Sequence, residues 1–130
     1  MNESTKVSGS IEVAGDCACY RPSGKMTLDE AIELVDQTIA YVRNQRISKL
    51  LFNARSLVGF PSPSLPTRYF AIRRFAATGQ NLVQLAMVIH AEMIDREKFG
   101  VIVARNSGLN ADVFSEEKEA LAWLQSKPEK

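Results

Sequence analysis

Gln84-Leu85-Ala86-Met87-Val88-Ile89-His90 is a near-continuous apolar run, and its surroundings decide the fold. Such a run reads as a strand buried on both faces of a sheet. Downstream, Asp95 to Asn106 has helical spacing and stops at Gly108. Leu109 to Phe114 reads as another strand, and Ser115 opens a helix ending near Gln125. Strand, helix, strand, helix in this order calls for parallel strands joined by helical crossovers. Upstream, Lys49 to Ala54 centres on Leu50-Leu51-Phe52, a second compact run of the same kind.

Other elements extend the alternation toward the N-terminus. Gly9 to Ala14 and Cys17 to Arg21 read as two short strands around a Gly15-Asp16 turn, and Pro22-Ser23-Gly24 then breaks the chain. Thr27-Leu28-Asp29-Glu30 is a capping box, in which hydroxyl and carboxylate satisfy each other's backbone amides. Behind it Leu28, Ile32, Val35, Ile39 and Val42 share one face at helical spacing, predicting a helix to about Gln45. Arg55 to Leu65 is a long loop with Gly59, Pro61 and Pro63. Ser64 is a helix N-cap placing Pro66 in the first turn, where its missing amide is harmless. Leu65, Tyr69, Ile72 and Ala76 recur on one face until Gly79 terminates that helix. Gly100 suits close packing of the third helix on the sheet. The expectation is a single α/β domain, with a mixed sheet of about five strands and about four helices in the order β-β-α-β-α-β-α-β-α. The domain spans 9–126, with a disordered tail at 1–8 and a C-terminal tail at 127–130.

At 130 residues the chain is long enough to bury one core, and 45% hydrophobic with 24% charged residues is ordinary for a water-exposed globular domain. No apolar run approaches the ~18–20 residues that span a bilayer, and the polar Met1 to Lys6 leads into no signal core. Cys17 and Cys19, two apart on one strand, point to the same face and are too closely tethered for an ordinary structural disulfide. These features together set the expectation of a cytoplasmic protein with free thiols. The net charge of +1 conceals an asymmetry, because no acid lies between Asp36 and Glu92, whereas Arg43, Arg46, Lys49, Arg55, Arg68, Arg73 and Arg74 do. Either this is a basic surface for an anion or an acidic partner, or folding sets these cations beside the flanking acids. Nucleic-acid binding is not expected, since overall basicity and aromatic–basic interleaving are missing.

A string of motifs, each weak alone, is specific in its order: Gly24-Lys25-Met26-Thr27-Leu28-Asp29-Glu30; Asp95-Arg96-Glu97-Lys98-Phe99; Ala104 to Leu109; Val113-Phe114-Ser115-Glu116-Glu117; Glu119 to Leu124. From Ile11 to Leu124 the chain resembles the SpoIIAA-like group, related to the STAS domains of anti-sigma-factor antagonists and akin in fold to lipid-carrying CRAL-TRIO domains. The resemblance implies a module that acts by binding protein partners rather than by catalysis, and leaves a small-ligand role open. STAS antagonists place a phosphorylatable serine in an Asp-Ser-Ser-Gly-like element after the central strand. Here Phe52-Asn53-Ala54-Arg55 is followed by no Asp-Ser pair, and only Ser62, Ser64 and Thr67 lie near the equivalent helix start.

The chemistry legible in the residues is that of binding. His90 is the only histidine, at a strand end where open α/β sheets hold ligands, but no nucleophile elbow or catalytic-Cys signature accompanies it. Cys17, Cys19 and His90 lack zinc-ligand spacing, and no glycine-rich phosphate loop is present. No catalytic residue, metal or cofactor is therefore expected. The Arg55–Arg68 loop shows Leu57, Val58 and Phe60 beside two arginines, and the expected ligand or partner surface is Arg55, Phe60, Ser64, Thr67 and Arg68. The expected function is a non-catalytic interaction or regulatory module with a protein partner, in which Phe60 and Tyr69 flank a homodimer contact. The alternative is a carrier or sensor of a small apolar or anionic, lipid-like ligand under the 55–68 loop. A ligand-sized pocket there favours the carrier, and a flat apolar patch favours the interaction module.

Overall fold

Leu50 and Phe52 point to one side of the central strand and Leu51 to the other, and all three are fully buried. That alternation sets the architecture of the computed structural model, which describes residues 9–95 and 97–126. The expected tails at 1–8 and 127–130 lie outside the described residues. The main sheet contains β1 (Ile11–Ala14), β2 (Cys17–Tyr20), β4 (Lys49–Asn53), β6 (Gln84–Val88) and β7 (Ala111–Phe114), in the order β1-β2-β4-β6-β7. β1 pairs antiparallel with β2 across the Gly15-Asp16 turn, and the other pairings are parallel. Phe52 sits in register between Tyr20 and Met87, and its ring meets that of Tyr20 edge-on at 5.5 Å.

Three helices cover one face: α1 (Leu28–Asn44), α2 (Leu65–Gly79) and α3 (Phe99–Asn106). The larger core lies beneath them, with Val35, Ile39, Val42, Leu50, Phe52, Phe75 and Leu85 at its centre. α4 (Glu117–Gln125) covers the other face, where Ala120 and Leu124 pack on Leu51, Ala86 and Val88, and Cys17 and Cys19 border this smaller cluster as free thiols. The expected mixed five-stranded, four-helix α/β domain is the one found.

The capping box of α1 is formed at both hydrogen bonds: the Glu30 amide donates to Thr27 Oγ1 (3.1 Å), and the Thr27 amide donates to Glu30 Oε1 (2.9 Å). Ser64 caps α2, accepting from the Thr67 amide. Four local expectations are corrected. In α2 the buried residues are Phe75, Ala76 and Gly79, with Ile72 partly buried, whereas Leu65 and Tyr69 are exposed. The helix is apolar on several sides, so packing rather than pattern selects its inner face. Gly79 lies within the helix, and the left-handed turn that ends it falls on Gln80 and Asn81. The third helix begins at Phe99, not Asp95; one turn of 3₁₀ helix at Ala91–Met93 precedes it, and the Asp95 carboxylate caps the Phe99 amide at 2.8 Å. Gly100 packs against Ile72 of α2 rather than against the sheet.

Two further strands, β3 (Gly24–Lys25) and β5 (Leu57–Val58), pair in parallel as a separate ribbon. They pin the 55–68 loop to the entrance of α1 through Gly24 N–H to Ser56 O (3.1 Å) and Met26 N–H to Val58 O (2.8 Å). Gly59 completes the anchor at φ 107, and a Cβ there would lie 2.7 Å from the Met26 carbonyl oxygen. Only glycine fits so close an approach in that conformation.

Candidate functional site

Beneath this pinned loop is a cavity of about 210 Å³ at the C-terminal edge of the parallel strands. It extends between the helix layer and the sheet. Ala31, Ile32 and Val35 of α1, Ala71, Ile72 and Phe75 of α2, and Val101 and Ala104 of α3 form its helical walls. Leu85, Met87, Ala111 and Val113 form the floor, and Leu57, Phe60 and Pro63 the roof. A void of this size, lined by aliphatic side chains, is hostile to water because a buried water needs polar partners. It offers an apolar group contact with the helix layer, the sheet and the roof, and opens to solvent at its mouth.

Charged and polar groups collect only at the mouth: Thr67 and Arg68 on the α2 side, His90, Asp95, Lys98 and Asp112 on the side of the β6–α3 loop and β7. Most have partners. Lys98 Nζ lies 2.9 Å from Asp112 Oδ1 and also sits over the Phe114 ring, while Asp95 accepts from the Phe99 amide. The His90 Nε2 is 3.0 Å from the Arg55 carbonyl oxygen, the geometry of a ring N–H donating to it. Arg68 differs. Its Nε donates to Pro63 O at 3.0 Å and its Nη2 to Ser62 Oγ at 2.8 Å, both neutral acceptors. Among the described residues, no carboxylate lies within ion-pair distance of it.

The residues expected to form one surface are therefore divided. Phe60, Thr67 and Arg68 line the cavity. Ser64 stands beside them as the helix cap, its hydroxyl bonded to Thr67 Oγ1 at 3.0 Å. Arg55 turns outward, and its Nη1 donates to the Ser115 carbonyl at 3.0 Å. Of the loop's apolar residues, Leu57 is buried in the main core and Val58 is exposed. The rim also includes Met93, Ile94, Asp95, Lys98 and Asp112, which the sequence does not single out: Asp95 and Lys98 fall within the expected third helix and Asp112 within the expected last strand. Apolar Ile89, Met93 and Ile94 beyond the end of a strand were the available signal.

Elsewhere the basic stretch largely resolves into ordinary structure. Arg74 pairs with Glu33 and Asp36, and Lys49 with Asp16. Arg43 bonds the Thr78 carbonyl, and Arg73 lies over the Tyr69 ring. On the opposite face, Arg21 Nε and Asn53 Nδ2 each donate to Glu117 Oε2 at 2.7 Å. The Arg21 hydrogen bond, supported by that of Asn53 and opposed by partial burial, holds the Glu117 carboxyl below the usual range. Burial, and then the neighbouring Cys19 thiol, push Cys17 up to about 11, so it is a poor nucleophile at neutral pH. Among the described residues, no cluster of three or more His, Cys, Asp or Glu side chains could hold a metal, and no helix is long and apolar enough to cross a membrane.

No protein-family model and no curated protein matches the chain. Solved structures do. An anti-sigma factor antagonist from Mycobacterium paratuberculosis superposes with a TM-score of 0.57 over 92% of this chain and 95% of that one, at 15% identity. An uncharacterised protein with a SpoIIAA-like fold from Shewanella loihica superposes with a TM-score of 0.51 over 91% and 93%, at 18% identity. The chain has the SpoIIAA-like fold. At these identities the likeness is one of architecture, and it spans nearly the whole of each molecule.

Proposed function

We propose that this SpoIIAA-like domain is a non-catalytic regulatory module of STAS type, which holds a small apolar ligand under the 55–68 loop and signals its presence to a protein partner. The observation that carries this reading is the cavity: a ligand-sized apolar space at the strand ends, roofed by one loop pinned at its root. Large voids cost packing energy, so a domain that keeps one is compensated when something fills it. The mycobacterial structure of the same fold is described as an anti-sigma factor antagonist, which supports a protein partner as the output.

The roof and the α2 entrance transmit the signal. Filling the cavity presses on Phe60 and Thr67, and these adjoin an exposed apolar row of Leu65, Tyr69 and Phe70, the last 69% exposed. A protein partner, or a second copy of the chain, would cover that row. The site supports binding rather than turnover: Lys98 pairs with Asp112, Asp95 and His90 are held by backbone groups, and the aliphatic walls offer no acid, base or nucleophile.

Native mass spectrometry of the full chain purified without organic solvent tests this reading. The expected result is a folded species carrying a small-molecule adduct, or one that acquires an equimolar adduct on addition of 1-octanol, together with the mass of any dimer. A bare mass before and after octanol addition, with the cavity unperturbed by NMR, would overturn it.

A further inference from the structure

Resting on the reading of the cavity as a ligand site, we propose that its ligand is a medium-chain monocarboxylate, with the tail among the aliphatic walls and the carboxylate at the mouth on Arg68. Size sets the tail. At about 30 Å³ for a water, a group of the same order of size as a methylene, 210 Å³ holds about seven such groups. A chain of about six to eight carbons fits, with no acceptor or donor required along it, because Val35, Ile72, Phe75, Leu85 and Met87 offer none.

The mouth sets the head. Lys98 and Asp112 neutralise each other, and Asp95 is occupied by the Phe99 amide. His90 is turned to the Arg55 carbonyl. Among the described residues of the mouth, Arg68 is the remaining cation, and it is preorganised. Of the five N–H donors of a guanidinium, two are spent on Ser62 Oγ and Pro63 O, which fix the plane of the fork. Those acceptors are neutral, so its charge is not cancelled. The two Nη1 hydrogens and one on Nη2 remain for an incoming oxyanion, and the half-buried setting screens that pairing less than open water does. An uncharged amphiphile leaves this charge unanswered, and an ammonium group meets it with repulsion.

The chain-length and head-group dependence of binding tests the proposal by calorimetry on the full chain. Hexanoate, octanoate, dodecanoate, 1-octanol and octylamine are the probes. Each added methylene up to about eight carbons should tighten binding about fourfold, with a plateau beyond. Octanoate should bind about tenfold or more tightly than octanol, and octylamine more weakly than either. Arg68→Ala should bring octanoate down to the affinity of octanol in the same variant, with circular dichroism and the unfolding midpoint showing that the fold survives. Arg68→Lys should retain part of the preference, because the charge persists without the fork. If octanol and octanoate bind equally, or octylamine binds best, the assignment of the head group is wrong and the cavity reading stands. If none of the five binds, both are wrong.

Discussion

Replacing Gly100 by alanine asks whether the cavity is usable space. Gly100 is the second residue of α3, in ordinary helical conformation, and a Cβ there would lie 2.9 Å from Ile72 Cδ1. That separation is too short to persist, so the isoleucine must yield. Ile72 lines the cavity, and Cδ1 is the end of its side chain, free to rotate into the void. Alanine in place of glycine contributes roughly 0.5–1 kcal/mol of helix stability, nearer the lower figure in a first turn. Movement of Ile72 to another staggered well in empty space costs little, and a strained compromise costs about 0.5–1.5 kcal/mol. The expected net is a stabilisation of about 0.5 kcal/mol, or about 1–3 °C in Tm for a domain of this size. The variant should also bind octanol more weakly, since Ile72 now occupies part of the space. Urea and thermal unfolding monitored by circular dichroism measure the first effect, and calorimetry the second. In a filled core the same methyl would overpack and cost about 1–3 kcal/mol. A destabilisation of more than about 1 kcal/mol would refute the reasoning.

Glu117→Gln should destabilise the fold by about 1 kcal/mol at neutral pH, a figure discounted because Arg21 is 43% exposed. The Glu117 carboxyl titrates lower in the folded than in the unfolded chain, so its contribution is complete above the unfolded value of about 4.3 and is lost as pH falls through the lower folded value. Unfolding at stepped pH should therefore show wild type and variant converging below about pH 4, and a difference that stays constant to pH 3 would contradict the assignment. Cys17, with its thiol pushed up to about 11, should be alkylated by iodoacetamide at pH 7.5 at least about tenfold more slowly in the folded chain than in urea, as read by peptide mass spectrometry; equal rates would show the thiol to be unshielded.

Much of the architecture was legible in the residues. The Thr27/Glu30 capping box and the single apolar face behind it located α1, and the runs at Leu50–Phe52 and Leu85–Val88 located two central strands. What was not legible depended on tertiary choice. In α2, Tyr69 and Phe70 are as apolar as Ile72 and Phe75, so helical periodicity could not say which pair faces inward. At the start of α3, Lys98 takes a left-handed backbone at φ 52 and ties its side chain to Asp112, a residue on a strand not yet reached. The pairs Gly24-Lys25 and Leu57-Val58 are too short to show any period, yet their pairing positions the roof. The 55–68 loop could be singled out as the candidate site. The void beneath it could not, because three helices and the sheet enclose it together and no local pattern encodes a space.

The central claim is that this cavity takes an apolar guest, and the methionine methyl groups report on it directly. Met87 and Met93 line the cavity, whereas Met26 is buried outside it. In a chain labelled with ¹³C at the methionine methyls, titration with 1-octanol should shift the Met87 and Met93 signals together and saturably, leaving Met26 in place. Saturation with no movement of Met87, or equal small drifts of all three, would contradict a ligand site under the 55–68 loop.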